Sequence, residues 1–330
     1  MVDPQQRTGP DTDAVPELVA SFFTLSGAGF GEPPRNTFNR RCEAAAAAGF
    51  SGVGLHADDL PRTIASGVGV GDMQAVLRIN GLQLVEIEFL GGWALGVPEN
   101  GPLAPTLAGI EAVAGAFGGR HVSAGEFNGD VALDTGQALT GAAHALRANA
   151  DRLADRGLLV AVEAFPWSAI SNIGVATDLV RRSGAGNAGL MIDVWHFYNG
   201  GATLEALDDL PGVGIAAVQL NDGPRVFDDF LRHARAERKL PGRGELDVVG
   251  LVRAVQRTGF TGPYCVEVNT PEFRALPVDE AAQLAADTAT EVLTEALAAG
   301  APRPTQARPT QARPPARAAA DRDSMPAPRS

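Results

Sequence analysis

The sequence predicts an α/β fold: a single (β/α)8 TIM barrel with disordered N- and C-terminal tails. Three observations carry that expectation. Short apolar or β-branched runs alternate with longer segments of helical period, and eight such pairs fit within residues 16–299. Four of the later runs (158–164, 190–194, 215–220 and 264–268) are nearly continuous in apolar residues, as strands of a parallel sheet covered on both faces are. No Gly-x-Gly-x-x-Gly follows the first run, which weakens the rival reading of an open dinucleotide-binding sheet.

In chain order, the first strand is expected over 18–25. The alanine-rich run 37–48 reads as a helix stopped by Gly49. A strand over 52–56, a helix over 73–80 ended by Gly81, and a strand over 82–89 follow. A helix over 103–117 leads to the strand 120–124. Leu139, Ala143, Leu146, Ala150 and Leu153 recur at steps of four and three, so they share one helix face, and Gly157 closes that helix. The strand 158–164, a helix over 175–183 and the strand 190–194 come next. A short helix over 204–207 leads to the strand 215–220. Val248, Leu251, Val252 and Val255 mark a helix with Asp247 as its N-cap and Gly259 at its end. The eighth strand is 264–268, and Ala281, Ala285, Ala289, Val292 and Ala296 give the last helix.

Composition limits the function classes. Hydrophobic residues make up 45% of the 330 and charged residues 20%, a balance typical of folded domains. The net charge of −12 argues against nucleic-acid binding driven by phosphate neutralisation. Cys42 and Cys265 are the two cysteines, with no Cys-x-x-Cys, so a disulfide scaffold and a cysteine zinc site are excluded. Residues 1–15 are polar and aperiodic. Residues 300–330 are rich in Pro, Arg and Ala and repeat Pro-Thr-Gln-Ala-Arg from Pro304 and from Pro309. Neither end buries enough apolar surface to offset its ordering entropy, and both are expected to be disordered. With no apolar run of membrane-spanning length and no signal-like start, a soluble cytoplasmic protein is expected.

Barrel chemistry sits at the C-terminal ends of the strands. Four later strands end in residues able to bind metal or move protons: Glu163 on the fifth, Asp193 on the sixth, Gln219 on the seventh and Glu267 on the eighth. A carboxylate flanked by Val, Ile or Leu in a buried strand needs a cation, a hydrogen-bonded partner or a raised pKa. Three converging on one mouth repel one another. A divalent cation removes that repulsion and takes them as hard oxygen ligands, with the Gln219 amide oxygen completing the set. The structural alternative is neutralisation by arginine, for which Arg181, Arg238 and Arg243 are available.

At these residues the chain resembles the xylose isomerase-like TIM barrel superfamily, and within it the sugar phosphate isomerase/epimerase group. The matching features are Val-Glu163, Asp193-x-x-His196, Val-Gln219-Leu-Asn-Asp222, Leu-Pro241-Gly-x-Gly244-Glu-Leu-Asp247 and Val-Glu267-Val, over roughly residues 17–298. The resemblance implies one divalent metal ion, Mn²⁺ or Mg²⁺, held by Glu163, Asp193, Gln219 and Glu267. It implies substrate contacts from His196 and Arg238, and Glu163 and Glu267 as the catalytic acid/base pair. The activity implied is isomerisation or epimerisation of a sugar, sugar phosphate or polyol ketone through a metal-stabilised enediolate. A 3-dehydroshikimate- or inosose-type dehydratase would use the same site, and a metal-free binding protein on the same barrel is the rival from another class. The expected partner is a small carbohydrate or related ketone, with no nucleic acid and no membrane, and a homo-oligomer is left open.

Several residues depart from the family pattern. Gln219 stands where many isomerases of the group have His, and its harder oxygen favours Mg²⁺ or Mn²⁺ over Zn²⁺. Ala164, Phe165, Pro166 and Trp167 follow Glu163 where polar residues are frequent, and strand two ends in His56 where Glu is common. Trp167 and Trp195 are expected to wall the substrate pocket, with ordinary barrel packing as the alternative. Asn221 and Asp222 are expected to orient Gln219. His121, His144 and His233 read as surface or loop residues, and Lys239 as a solvated or paired lysine beside a turn.

Overall fold

The computed structural model describes residues 15–94, 104–127, 133, 136–208, 210 and 212–298, so the expected disordered ends lie outside the described residues except for Val15. Eight parallel strands close in the order β1 to β8. In chain order the elements are β1 (Leu18–Ala20), α1 (Phe22–Ser26), α2 (Phe38–Ala47), β2 (Gly52–His56), α3 (Asp59–Ala65), α4 (Val70–Ile79) and β3 (Gln83–Gly91). Next come α5 (Ala104–Phe117), β4 (His121–Gly125), α6 (Gly136–Ala154), β5 (Leu159–Glu163), α7 (Ile173–Ser183), β6 (Ala188–Asp193) and α8 (Val194–Asn199). A 3-10 turn (Leu204–Leu207) precedes β7 (Ile215–Leu220), α9 (Phe230–Ala236), α10 (Val248–Arg257), β8 (Tyr264–Val266), α11 (Pro271–Arg274) and α12 (Val278–Ala298).

The expected first strand, 18–25, divides in two. Ser21 turns its hydroxyl to accept from the Phe23 amide at 3.2 Å, which caps α1 and takes the chain out of the sheet. Gly27 then ends α1 at φ 67°, a left-handed conformation that suits glycine. The eighth strand stops at Val266, short of 268, because the Thr24 hydroxyl donates to the Val266 carbonyl and accepts from the Val268 amide. Besides α1, four short helices (α3, α8, α9 and α11) stand outside the expected elements, and each lies in a loop after a strand.

Alternation along the strands explains both core and site. Val160, Val162, Leu190, Ile192, Val218 and Leu220 face the helices and join one large core with Leu146, Leu153, Leu179, Leu251 and Ala285. Full burial of such a side chain stabilises by about 1.5–3 kcal/mol. The α6 stripe from Leu139 to Leu153 is buried as its spacing predicts. The intervening residues face the barrel interior, where Ala161, Met191 and Ala217 form a small separate cluster. They share the phase of Glu163, Asp193 and Gln219, which therefore project into the mouth. Among the described residues, no helix is long and apolar enough to cross a membrane.

Candidate metal centre

Glu163 closes β5 and Asp193 closes β6. Asp193 also caps α8, accepting from the His196 amide at 2.9 Å, so one residue ends the strand and sets the phase that brings the His196 ring back over the mouth. Glu163, Asp193 and His196 each offer a ligand atom within 4.8 Å of the others. Arg238 draws in Glu267: its Nη1 lies 3.1 Å from Asp193 Oδ2 and 3.8 Å from Glu267 Oε1, and its Nη2 donates to His196 Nε2 at 2.6 Å. Gln219 completes the ring from β7. Its Nε2 donates to Glu86 Oε1 at 3.0 Å, and its Oε1 is buried without a partner.

Strand β3 adds two carboxylates that the sequence reasoning passed over. Glu86 and Glu88 are both buried. Pairing between β2 and β3 slips from Val53↔Leu84 to Gly54↔Glu86, and this bulge re-aims the strand. A Cβ on Gly54 would stand 2.9 Å from the Phe22 amide nitrogen and 3.2 Å from Glu88 Oε1, so glycine leaves room for the pair. Glu86 accepts from Ser123 Oγ at 3.1 Å and meets His121 Nε2 at 3.3 Å and Cys265 Sγ at 3.2 Å. His121 is therefore an interior residue and not the surface histidine expected from sequence, because the β4 phase turns it inward. The signal was present: an acid flanked by apolar residues in a strand, the pattern that singled out Glu163, occurs twice in Val85-Glu86-Ile87-Glu88-Phe89.

These groups are strongly perturbed. Burial, then repulsion from Glu267 and Asp193, hold Glu163 well above the usual carboxylate range. Burial pushes Glu267 up to about 8 against the opposing pull of Arg238, and burial with the Glu86 and Glu267 charges raises Glu88 well above its ordinary value. Burial also draws Glu86 upward, but hydrogen bonding and charge from His121 outweigh it, and Glu86 sits below its ordinary value. Burial lowers His196 to about 3, leaving it neutral and able to accept. Arg238 remains charged because Asp193, Glu267 and Glu163 outweigh its desolvation.

Five buried carboxyl groups thus gather in the barrel mouth, and one buried guanidinium, that of Arg238, stands against three of them. That excess of acidic groups, three of which keep their protons for want of a counter-charge, the unpartnered Gln219 Oε1 and a neutral imidazole together suit a divalent cation with hard ligands. Of the arginines weighed as an alternative, only Arg238 enters the cluster. Arg181 pairs with Asp178, and Arg243 with Glu291, both on the exterior.

A cavity of about 540 Å³ opens over the centre, with Glu163, His196, Gln219, Arg238 and Glu267 on its polar side. Phe127, Phe165 and Trp167 form its apolar wall as a near-parallel ladder, with successive interplanar angles of 4° and 8°. Arg235 lies at the rim over the Phe30 ring. Trp167 lines the cavity. Trp195 does not: it is fully buried behind the wall, where its ring backs the Arg238 guanidinium at 5.9 Å.

Asn221 and Asp222 differ from the role expected of them. Asn221 Nδ2 donates to Asp193 Oδ2 at 2.6 Å while its Oδ1 accepts from the Trp195 amide, so it orients Asp193. Asp222 accepts from the amides of Gly223, Gly244 and Leu246 and ties the end of β7 to the Pro-Gly-x-Gly turn. Gln219 is oriented instead by Glu86. Lys239 pairs its backbone with that of Asp222, which anchors the neighbouring Arg238. Asp247 caps α10 as expected, accepting from Gly250 at 2.8 Å.

Known proteins resemble this chain in sequence and fold. The family described as xylose isomerase-like TIM barrel matches residues 42–295. A 3-dehydroshikimate dehydratase from Pseudomonas aeruginosa is 38% identical over 133 residues, 40% of this chain and 21% of that protein. An inosose isomerase from Halalkalibacterium halodurans is 28% identical over 141 residues, 42% of this chain and 49% of that protein. The match therefore spans about a fifth of the first relative and about half of the second. Among solved structures, the IOLI protein with a bound zinc atom superposes with a TM-score of 0.69 at 18% identity, covering 84% of this chain and 98% of that one. The 3-keto-D-glucoside 4-epimerase of E. coli superposes with a TM-score of 0.61 at 17% identity, covering 84% and 98%. With the family match extending over most of the barrel, the chain belongs to the xylose isomerase-like TIM barrel family.

Proposed function

We propose that this protein is a divalent-metal-dependent enzyme that moves a proton at the carbon beside a carbonyl of a small sugar-like hydroxyketone, as an isomerase or epimerase. The observation that carries this reading is the pair Glu163 and Glu267, two buried carboxyls with raised proton affinity at the polar side of one cavity. Carboxyls whose proton affinity is raised are suited to general acid–base work. Glu163, Asp193, Gln219 and Glu267 would hold the cation, with His196 beside them. Bound there, it would supply positive charge that polarises a substrate carbonyl and acidifies the adjacent C–H.

The chain's own residues then account for the remaining chemistry. One glutamate of the pair accepts the proton, and the same or the other returns it. Arg238, held by Asp193 and backed by Trp195, directs positive charge at substrate oxygens, and His196 adds a neutral imidazole. The flat ladder Phe127–Phe165–Trp167 supports the apolar face of a ring and excludes water from that side.

Dehydration is the second reading, supported by the higher identity to the dehydratase segment and by the Gln219 ligand. Proton NMR of candidate hydroxyketones in D2O with Mn²⁺-loaded enzyme separates the two. Solvent deuterium at the α-carbon without water loss supports isomerisation or epimerisation, and a new vinyl or aromatic signal supports dehydration. If neither exchange nor elimination occurs with any hydroxyketone, and dialysed protein takes up no stoichiometric divalent metal, the metal-free binding protein replaces both.

A further inference from the structure

We infer that Glu86 is a positioning residue: it fixes the Gln219 amide with its oxygen turned into the candidate metal centre, and so sets a hard oxygen ligand there. This rests on reading the site as a metal centre. The argument begins with the acceptor-only character of a carboxylate. Glu86 Oε1 lies 3.0 Å from the Gln219 amide nitrogen, and Ser123 Oγ donates to the same oxygen at 3.1 Å. His121 Nε2, at 3.3 Å, and Cys265 Sγ, at 3.2 Å from Oε2, complete a shell of donors.

Rotating the amide by half a turn would set its oxygen against a carboxylate oxygen, so one orientation is strongly preferred. That orientation leaves Gln219 Oε1 facing away from Glu86. This oxygen is the one side-chain amide oxygen among the described buried polar atoms without a partner, and Gln219 is only 2% exposed. A buried, oriented and unsatisfied acceptor is what a hard cation requires, and partners behind a ligand typically govern affinity by 10–100-fold. Because β3 and β7 stand four strands apart in the closed order, the bond crosses the barrel interior, and the bulge at Gly54↔Glu86 aims Glu86 across it.

The test is Mn²⁺ affinity, measured by calorimetry on the full chain, in wild type, Glu86→Gln, Gln219→Ala and the double variant. An amide at position 86 can present either end to Gln219, so Glu86→Gln should weaken Mn²⁺ binding roughly 10–100-fold. In the Gln219→Ala background the same change should cost little more, because the group it orients is gone. Equal losses in both backgrounds would reduce Glu86 to a general structural role and overturn the inference. Unchanged affinity in Glu86→Gln would do the same while leaving the metal centre intact, whereas a wild-type protein without Mn²⁺ or Mg²⁺ affinity would remove both. Should Glu86→Gln not fold, Gln219→Glu decides. With Glu86 behind it, an added carboxylate faces another carboxylate and gives no tighter Mn²⁺ binding. A tenfold gain would show that Glu86 does not govern position 219.

Discussion

Replacing Arg238 with methionine keeps an unbranched apolar stem and removes the only guanidinium that enters the acidic cluster among the described residues. In the metal-free protein this leaves Asp193, Glu163 and Glu267 without their buried counter-charge, and it deprives His196 Nε2 of its donor. Arg238 is 7% exposed and Asp193 is 1% exposed, so water cannot substitute. Breaking a buried pair by removing one partner costs roughly 3–5 kcal/mol. In a domain of this size that is a fall in Tm of about 10 °C. Thermal unfolding of metal-free protein followed by circular dichroism measures it. The loss should be larger at pH 8 than at pH 5, because protonated carboxyls need no counter-charge, and excess Mn²⁺ should restore part of it. A variant that melts within about 2 °C of wild type at pH 8 without metal would refute the view of Arg238 as the internal counter-ion.

Three further outcomes are expected. The folded-state pKa of Glu267, about 8, exceeds its ordinary 4.5, so the folded protein binds the extra proton. The stability this contributes is full below the ordinary value and is lost as pH rises toward 8; urea unfolding of metal-free protein should show that decline, and saturating Mn²⁺ should abolish it. A flat profile between pH 5 and 8 would contradict the assignment. Glu267→Gln should reduce kcat by orders of magnitude while the protein melts at or above the wild-type temperature, and near wild-type turnover would remove Glu267 from the chemistry. Gly244→Ala would press a methyl group onto the Asp222 carboxylate and within 2.5 Å of the Gly223 amide nitrogen. It should destabilise by about 1–3 kcal/mol, read as a lower midpoint in urea; an unchanged midpoint would mean that the turn relaxes freely.

The alternation of apolar strands and periodic helices made the barrel legible, because each strand buried on both faces is nearly all apolar and each helix carries a stripe such as Leu139–Leu146–Leu153. The same pattern made strand-end acids conspicuous: Glu163 stands out because Val162 and Val160 precede it. What escaped was whatever depends on contacts between distant segments. Ser21 reads as a strand residue until its hydroxyl is seen capping α1. Asn221 lies beside Gln219 in sequence, yet it turns to Asp193 on the neighbouring strand. Glu86 and Glu88 were overlooked although their pattern was visible, because a bulge shifts the phase that periodicity alone assigns. Trp195 follows Asp193 closely but points behind the wall, a direction set by the start of α8.

The bond from Glu86 to Gln219, with Cys265 Sγ on the other oxygen of the same carboxylate, joins the first four βα units to the last four through the hollow of the barrel. On the proposed reading of the site, neither half carries a finished centre: the ligand end belongs to one and its support to the other. On that reading, a chimera that spliced the front half of this protein to a foreign back half should misalign the donor atom at position 219 unless both sides of that central bridge were inherited together.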